Sequence, residues 1–276
     1  MKTFTTRTAI RQYLSEQNGQ TVGFVPTMGA LHNGHLSLIK QAKQANDLVV
    51  CSIFVNPTQF NDPKDLENYP RPIEADIAKL ISVGCDILFN PAVPEIYDDN
   101  EQWHLNIGPL EFLLEGEFRP GHYQGVTQVV YKLLDIVKPT TLYLGQKDYQ
   151  QFMVVSKMVE LLSIPVKMVM SPIEREPEGL AMSSRNVHLS AEDRKHALVL
   201  SRALNWVKDN FKADDIAGLE EQAHAMLRDE PGVEAEYFEL ADGKTLLPAD
   251  ENSDTIVALT AARVGKTRLI DNMLIR

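Results

Sequence analysis

Two cysteines in 276 residues, Cys51 and Cys85, leave no material for a disulfide framework or a thiolate zinc cluster. Both lie inside apolar runs, CSIFV and CDILF, the setting of buried reduced thiols. Long apolar runs are missing too. No window reaches the roughly 18 uninterrupted apolar residues of a membrane span, and the stretch MKTFTTRTAIRQYLSEQ lacks the apolar core of a secretory signal. Asn56-Pro57-Thr58 is no glycosylation acceptor, because proline fills its middle position. These absences predict a cytoplasmic protein with no membrane partner. Glycine and proline number 15 each, too few for a collagen-like or low-complexity chain. Basic residues are also short, 27 against 38 acidic, for a net charge of −11. That excludes a general nucleic-acid binder, whose affinity comes from Lys and Arg on phosphates. It leaves room for one small polyanion in a local pocket.

What is present is a regular alternation. Strand-length apolar runs at 21–27, 47–55, 85–89, 141–145 and 165–170 alternate with helical patterns at 34–45, 72–83, 125–137 and 149–162. Such alternation predicts an α/β fold, a doubly wound parallel sheet covered on both faces. In these sheets ligands bind beyond the carboxyl ends of the strands. The pattern changes at the polar, proline-containing SPIEREPEG. Ser190-Ala-Glu-Asp193 then has the form of a helix N-cap with an acidic first turn. Helices are expected to about Glu230, followed by strands at 234–242, 255–264 and 267–272 with no helix between them. The chain therefore divides into a larger domain, 1–173, and a smaller C-terminal α+β domain, 174–276, with a small antiparallel sheet. The smaller part carries a net charge of −7 and the larger −4.

Five segments have the residue types of a site. In Pro26-Thr-Met28-Gly29-Ala30-Leu31-His32-Asn33-Gly34-His35, glycines permit a tight turn and two histidines three apart straddle a helix start. Bare N–H groups and the helix dipole favour an anion there. The bland alternative is a tight turn with two incidental imidazoles. Gly145-Gln146-Lys147-Asp148-Tyr-Gln150-Gln151 also follows a strand. It offers a compact cation, a carboxylate that could serve a metal, a ribose hydroxyl or a helix cap, and an amide for a polar ligand. Met182-Ser183-Ser184-Arg185 can bind phosphate oxygens, though Ser-Ser-Arg alone is common. Asn56 and Gln59, in FVNPTQF, suit hydroxyl and carboxylate groups, or are simply turn residues. Arg119 and His122, in RPGHYQG, suit an anion, an interface or a structural role. Gly265-Lys266-Thr267 mimics the end of a phosphate-binding P-loop. Thr260 stands where that motif needs glycine, and a strand rather than a helix follows.

Taken in order, PTMGALHxGH, FVNPxQF, YPR, RPGHxxGV, GxKDYQQ, LAMSSRN and a terminal RLIDN closely resemble the pantoate–β-alanine ligases over nearly the whole chain. The first and LAMSSRN fragments also resemble the HIGH and KMSKS signatures of nucleotidyltransferases and class I aminoacyl-tRNA synthetases. The resemblance implies a Rossmann-like, nucleotidyltransferase-type large domain, a C-terminal lid and a homodimer formed mainly through the larger domain. It implies ATP, pantoate and β-alanine as substrates, magnesium with the ATP, and a pantoyl adenylate intermediate. Carried over by position, Met28 to His35, Gly145 to Asp148 and Met182 to Arg185 would bind ATP. Among them His32, His35, Lys147 and Arg185 would be catalytic, with His35 the proton donor. Gln59, Gln151 and Asn56 would hold pantoate and β-alanine, and Asp76 matches an acidic position near the metal. Two positions depart from the family pattern: Gln146, where Glu is usual, and Glu178, where Asp is usual.

Overall fold

The computed structural model describes residues 1–276, which divide into two compact units. The first unit comprises Met1–Gly145 and Gln151–Ser171, and the second Gln146–Gln150 and Pro172–Arg276. The sequence boundary at 173/174 carried no sign that the short segment 146–150 groups with the C-terminal part.

In the first unit the chain runs β1 (Lys2–Phe4), α1 (Arg7–Ser15), β2 (Val22–Thr27), α2 (Asn33–Ala45), β3 (Leu48–Ile53), α3 (Pro63–Asn68), α4 (Ile73–Ser82) and β4 (Ile87–Phe89). It continues through α5 (Val93–Ile96), α6 (Glu115–Phe118), α7 (His122–Val137), β5 (Thr141–Gly145), α8 (Tyr149–Leu161), whose first two residues belong to the second unit, and β6 (Lys167–Ser171). Its six strands form one sheet in the order β1-β4-β3-β2-β5-β6, with every pair parallel. The order reverses between β2 and β5, so the loops after Thr27 and Gly145 leave at the switch point where such sheets bind ligands. Both faces of the sheet are apolar. Phe24, Val50, Ile87 and Leu142 pack on one side, mainly against α7; Val25, Cys51, Leu88 and Tyr143 pack on the other with Leu38 and Ile39 of α2. Burial on both faces is why these strands read as continuous apolar runs rather than alternating ones.

The short helices α3, α5 and α6 escaped the sequence reading, as did two elements at the start of the chain. Strand β1 is only KTF, an edge strand with no buried residue, and α1 buries Ile10 alone. Helix α7 begins three residues before the expected Gly125. Gly121, at φ 77°, turns the chain into it.

The second unit holds α9 (Ala191–Asn210), α10 (Ile216–Arg228) and the antiparallel sheet β7 (Val233–Asp242), β8 (Ile256–Val264) and β9 (Thr267–Leu274), in that order. Ser190 and Asp193 form a reciprocal capping box at the start of α9. Leu200, Leu204, Leu227, Leu240 and Ile256 lie in the core of this unit. The Gly265–Lys266 turn joins two antiparallel strands, so the P-loop mimic is a hairpin. No helix of the chain is long and apolar enough to cross a membrane.

The two cysteines lie in the core between the sheet and α2. Burial pushes the Cys85 thiol up to about 11 and Cys51 well above the ordinary thiol range. The thiolate is the reactive form, so both side chains should resist a water-soluble disulfide reagent at pH 8 in the native protein. Both should react once denaturant is added. Rapid native-state labelling of either would contradict this packing.

Candidate active site

The first motif is a loop with a forced shape. Gly29 and Ala30 both take left-handed backbone conformations, φ 84° and 49°. Alanine bears a steric cost there that must be offset by contacts holding the turn. Asp76, in the first turn of α4, supplies them. Its Oδ2 accepts the Ala30 N–H at 2.8 Å and its Oδ1 the Leu31 N–H at 2.8 Å, and the residue is 1 % exposed. Lys79 Nζ, one turn on, donates to the Leu31 carbonyl at 2.6 Å. Thr27 completes the anchor, accepting the Gly29 N–H and donating to the Ser52 carbonyl.

The chain leaves this anchor directly into α2, with His32 as N-cap and His35 at the third helical position. The His32 N–H donates to His35 Nδ1 at 3.3 Å, and the two ring centroids lie 4.0 Å apart. A neutral imidazole that accepts at Nδ1 carries its proton on Nε2. The backbone thus sets His35 as an Nε2–H donor at a helix N-terminus, where the dipole favours an anion. Asn33 is exposed and Gly34 half-buried beside them.

Beyond β3, Asn56 is buried and its amide is fully occupied. Nδ2 donates to Gln59 Oε1 and to the Gly125 carbonyl, each at 3.1 Å, while Oδ1 accepts from the Tyr97 hydroxyl at 2.6 Å and from Thr58. Burial pushes the Tyr97 hydroxyl up to about 12, which keeps it a neutral donor. Gln59 in turn donates to Met28 Sδ at 3.2 Å, joining this segment to the histidine loop. Helix α7 passes close behind: a Cβ on Gly125 would meet the Thr58 carbonyl oxygen at 2.5 Å. His122, also buried, contacts the Gln59 carbonyl through Nδ1 at 2.9 Å and Arg119 through Nε2 at 3.1 Å. Asn56 and His122 thus hold Gln59, which is itself half-buried. Gln151 is also half-buried, at the start of α8.

In the second unit, Gln146–Asp148 form a 3-10 turn straight after Gly145, the last residue of β5; Lys147 is half-buried and Asp148 exposed. Residues 174–182 fold back on themselves, with Arg175 bridged to Ala181. That hairpin delivers the half-buried Met182, Ser183, Ser184 and Arg185; Ser183 Oγ caps the Arg185 N–H at 3.2 Å.

These residues do not form a cage for a resident metal. No three His, Cys, Asp or Glu side chains come together to hold one. Asp76, expected near a metal, is buried, and each of its oxygens accepts one backbone N–H, so it clamps the loop. The sequence put Asp76 in an acidic motif but carried no sign that it reaches residues 45 and 46 positions away.

Replacing Asp76 by Asn turns one acceptor into a donor facing an N–H. Asp76→Asn should lower stability by about 1–3 kcal/mol, read as an earlier denaturation midpoint. It should also speed hydrogen exchange at the Ala30 and Leu31 amides. Unchanged exchange at those two amides would contradict the clamp.

Comparison with known proteins places the chain. A family model described as pantoate-beta-alanine ligase matches residues 2–274. Pantothenate synthetase of Fervidobacterium nodosum is 45% identical over 93% of this chain and 92% of its own length. Among solved structures, the crystal structure of pantothenate synthetase from Thermus thermophilus superposes with a TM-score of 0.93 at 42% identity, covering 100% of this chain and 99% of that one. The pantoate-beta-alanine ligase of Francisella tularensis, crystallised with beta-gamma ATP and beta-alanine, gives a TM-score of 0.83 at 38% identity over 99% and 97%. The match runs end to end in sequence and in fold: the chain belongs to the pantoate–β-alanine ligase family.

Proposed function

We propose that the chain joins pantoate to β-alanine with cleavage of ATP, releasing pantothenate, AMP and pyrophosphate. The observation that carries the assignment to these residues is the His32–His35 pair, fixed on a clamped loop at a helix N-terminus with His35 set as an Nε2–H donor. End-to-end similarity to a ligase crystallised with beta-gamma ATP and beta-alanine supports the substrates.

A carboxylate does not react with an amine until one of its oxygens becomes a good leaving group. In the first step a pantoate carboxylate oxygen attacks the α-phosphorus of ATP, and the bond from that phosphorus to pyrophosphate breaks. Negative charge grows on the pyrophosphate and the non-bridging oxygens. His32 and His35 donate hydrogen bonds to that charge, with His35 the proton donor; Lys147 and Arg185 neutralise it, and Ser183 and Ser184 hold phosphate oxygens. The backbone of Met28 to His35 and the segments Gly145 to Asp148 and Met182 to Arg185 supply the remaining nucleotide contacts. In the second step the neutral amine of β-alanine attacks the acyl carbon, the bond to AMP breaks and the amine loses a proton. Gln59 and Gln151 orient pantoate, Gln59 also faces β-alanine, and Asn56 fixes the Gln59 amide. Magnesium enters with ATP as part of the substrate. A homodimer formed through the larger domain and a cytoplasmic location complete the reading.

The test supplies ATP, magnesium, pantoate and β-alanine. AMP, pyrophosphate and pantothenate should appear in equal amounts. ADP and phosphate as products would contradict the assignment. His35→Ala and Lys147→Ala should each slow pantoate-dependent pyrophosphate release by about 10²–10³-fold with little change in melting temperature. Wild-type rates in either variant would remove that residue from the mechanism.

A further inference from the structure

The terminal RLIDN has no role in the chemistry above, yet its last two residues are among the most buried polar groups in the second unit. Asp271 is 4 % exposed and Asn272 2 %. Successive residues of β9 face opposite sides of the strand, so the two side chains reach different partners. Asn272 Nδ2 donates to the Gln146 carbonyl at 2.9 Å and to the Lys147 carbonyl at 2.8 Å, and its Oδ1 accepts from Gln146 Nε2 at 3.2 Å. The whole amide is engaged by the turn that carries Lys147.

Asp271 takes Arg175 in a two-pronged pair at 2.7 and 3.0 Å and also accepts the Asn272 N–H at 2.8 Å. Arg175 in turn donates to the Gly179 carbonyl at 3.0 Å and to the Asn272 carbonyl at 3.4 Å. It stands at the base of the 174–182 hairpin, closed by Met182 N–H to the Glu174 carbonyl at 2.9 Å and Glu176 N–H to the Leu180 carbonyl at 2.8 Å. The next residues along the chain are Ser183 to Arg185. Burial raises the Asp271 carboxyl above its ordinary range, against the pull of the Arg175 guanidinium.

We propose that Arg175, Asp271 and Asn272 form a buried strut that fixes the Lys147 turn and the Ser183–Arg185 loop relative to each other, so that both phosphate-binding segments meet the nucleotide as one prearranged set. The three are positioning residues; none is assigned a contact with substrate. The strut also gives a reason for Gln146. With both Asn272 N–H groups bonded to carbonyls, Asn272 Oδ1 faces residue 146 and needs a donor, which glutamine has and glutamate lacks.

The inference rests on the nucleotide-binding roles proposed for Lys147 and Ser183–Arg185. Its test is ATP affinity, by equilibrium titration without pantoate, in a double-mutant cycle. Asn272→Ala should weaken ATP binding about tenfold in the otherwise native chain, the scale of one lost hydrogen bond to a positioned group. In a Lys147→Ala background the same change should cost less than about twofold, because the residue it positions is already gone. Arg175→Lys, which keeps the positive charge but loses the fork, should weaken binding by an intermediate factor with the fold intact. This arm stands even if Asn272→Ala does not fold. Equal losses in both backgrounds, or native affinity in folded Asn272→Ala or Arg175→Lys, would overturn the strut. A wild-type chain that releases no pyrophosphate with pantoate, or a Lys147→Ala variant that binds ATP normally, would instead overturn the functional reading beneath it.

Discussion

Two hydrogen bonds accepted by one buried carboxylate govern the loop that leads into α2 in the first unit. Asp76 holds the Ala30 and Leu31 N–H groups, and the turn they belong to contains two consecutive residues at positive φ. Everything downstream depends on that turn: the entry into α2, the N-cap geometry at His32 and the approach of the two imidazole rings. A carboxylate accepting two backbone N–H bonds in a buried site is a strong, directional restraint. It can hold an alanine in a conformation that the residue otherwise avoids.

The second unit solves the corresponding problem with the opposite polarity. There an amide, Asn272, donates to two backbone carbonyls, and an Arg–Asp pair beside it ties in the neighbouring hairpin. In both units the groups assigned to the phosphates sit on short backbone segments, and side chains distant in sequence fix those segments. A chain of net charge −11 has no general attraction for a polyanion. In the proposed reading its affinity comes from a few N–H groups, two imidazoles, Lys147 and Arg185 held in fixed places, and misplacing them would forfeit the small positive charge present.

The sequence displayed the parallel sheet clearly, because strands buried on both faces read as unbroken apolar runs such as VGFVPT and LVVCSI. Strand β1, three residues at the sheet edge, and α1, with a single buried side chain, carry too little apolar signal to be seen. The candidate site was legible as motifs, since histidines, a lysine and a Ser-Ser-Arg in turns and loops advertise their chemistry. What holds those motifs was not. Asp76 contacts a loop 46 residues away and Asn272 a turn 126 residues away. Local pattern contains no trace of such pairings. The grouping of 146–150 with the C-terminal unit was hidden for the same reason.

In the proposed reaction a carboxylate oxygen attacks the α-phosphorus of ATP. The most direct test follows that oxygen. Pantoate labelled with oxygen-18 at both carboxylate positions is turned over with ATP and β-alanine, and the products are weighed. One labelled oxygen should appear in AMP and the other in the amide carbonyl of pantothenate. ADP as product with the label in inorganic phosphate, or unlabelled AMP with the label in pyrophosphate, would contradict the account.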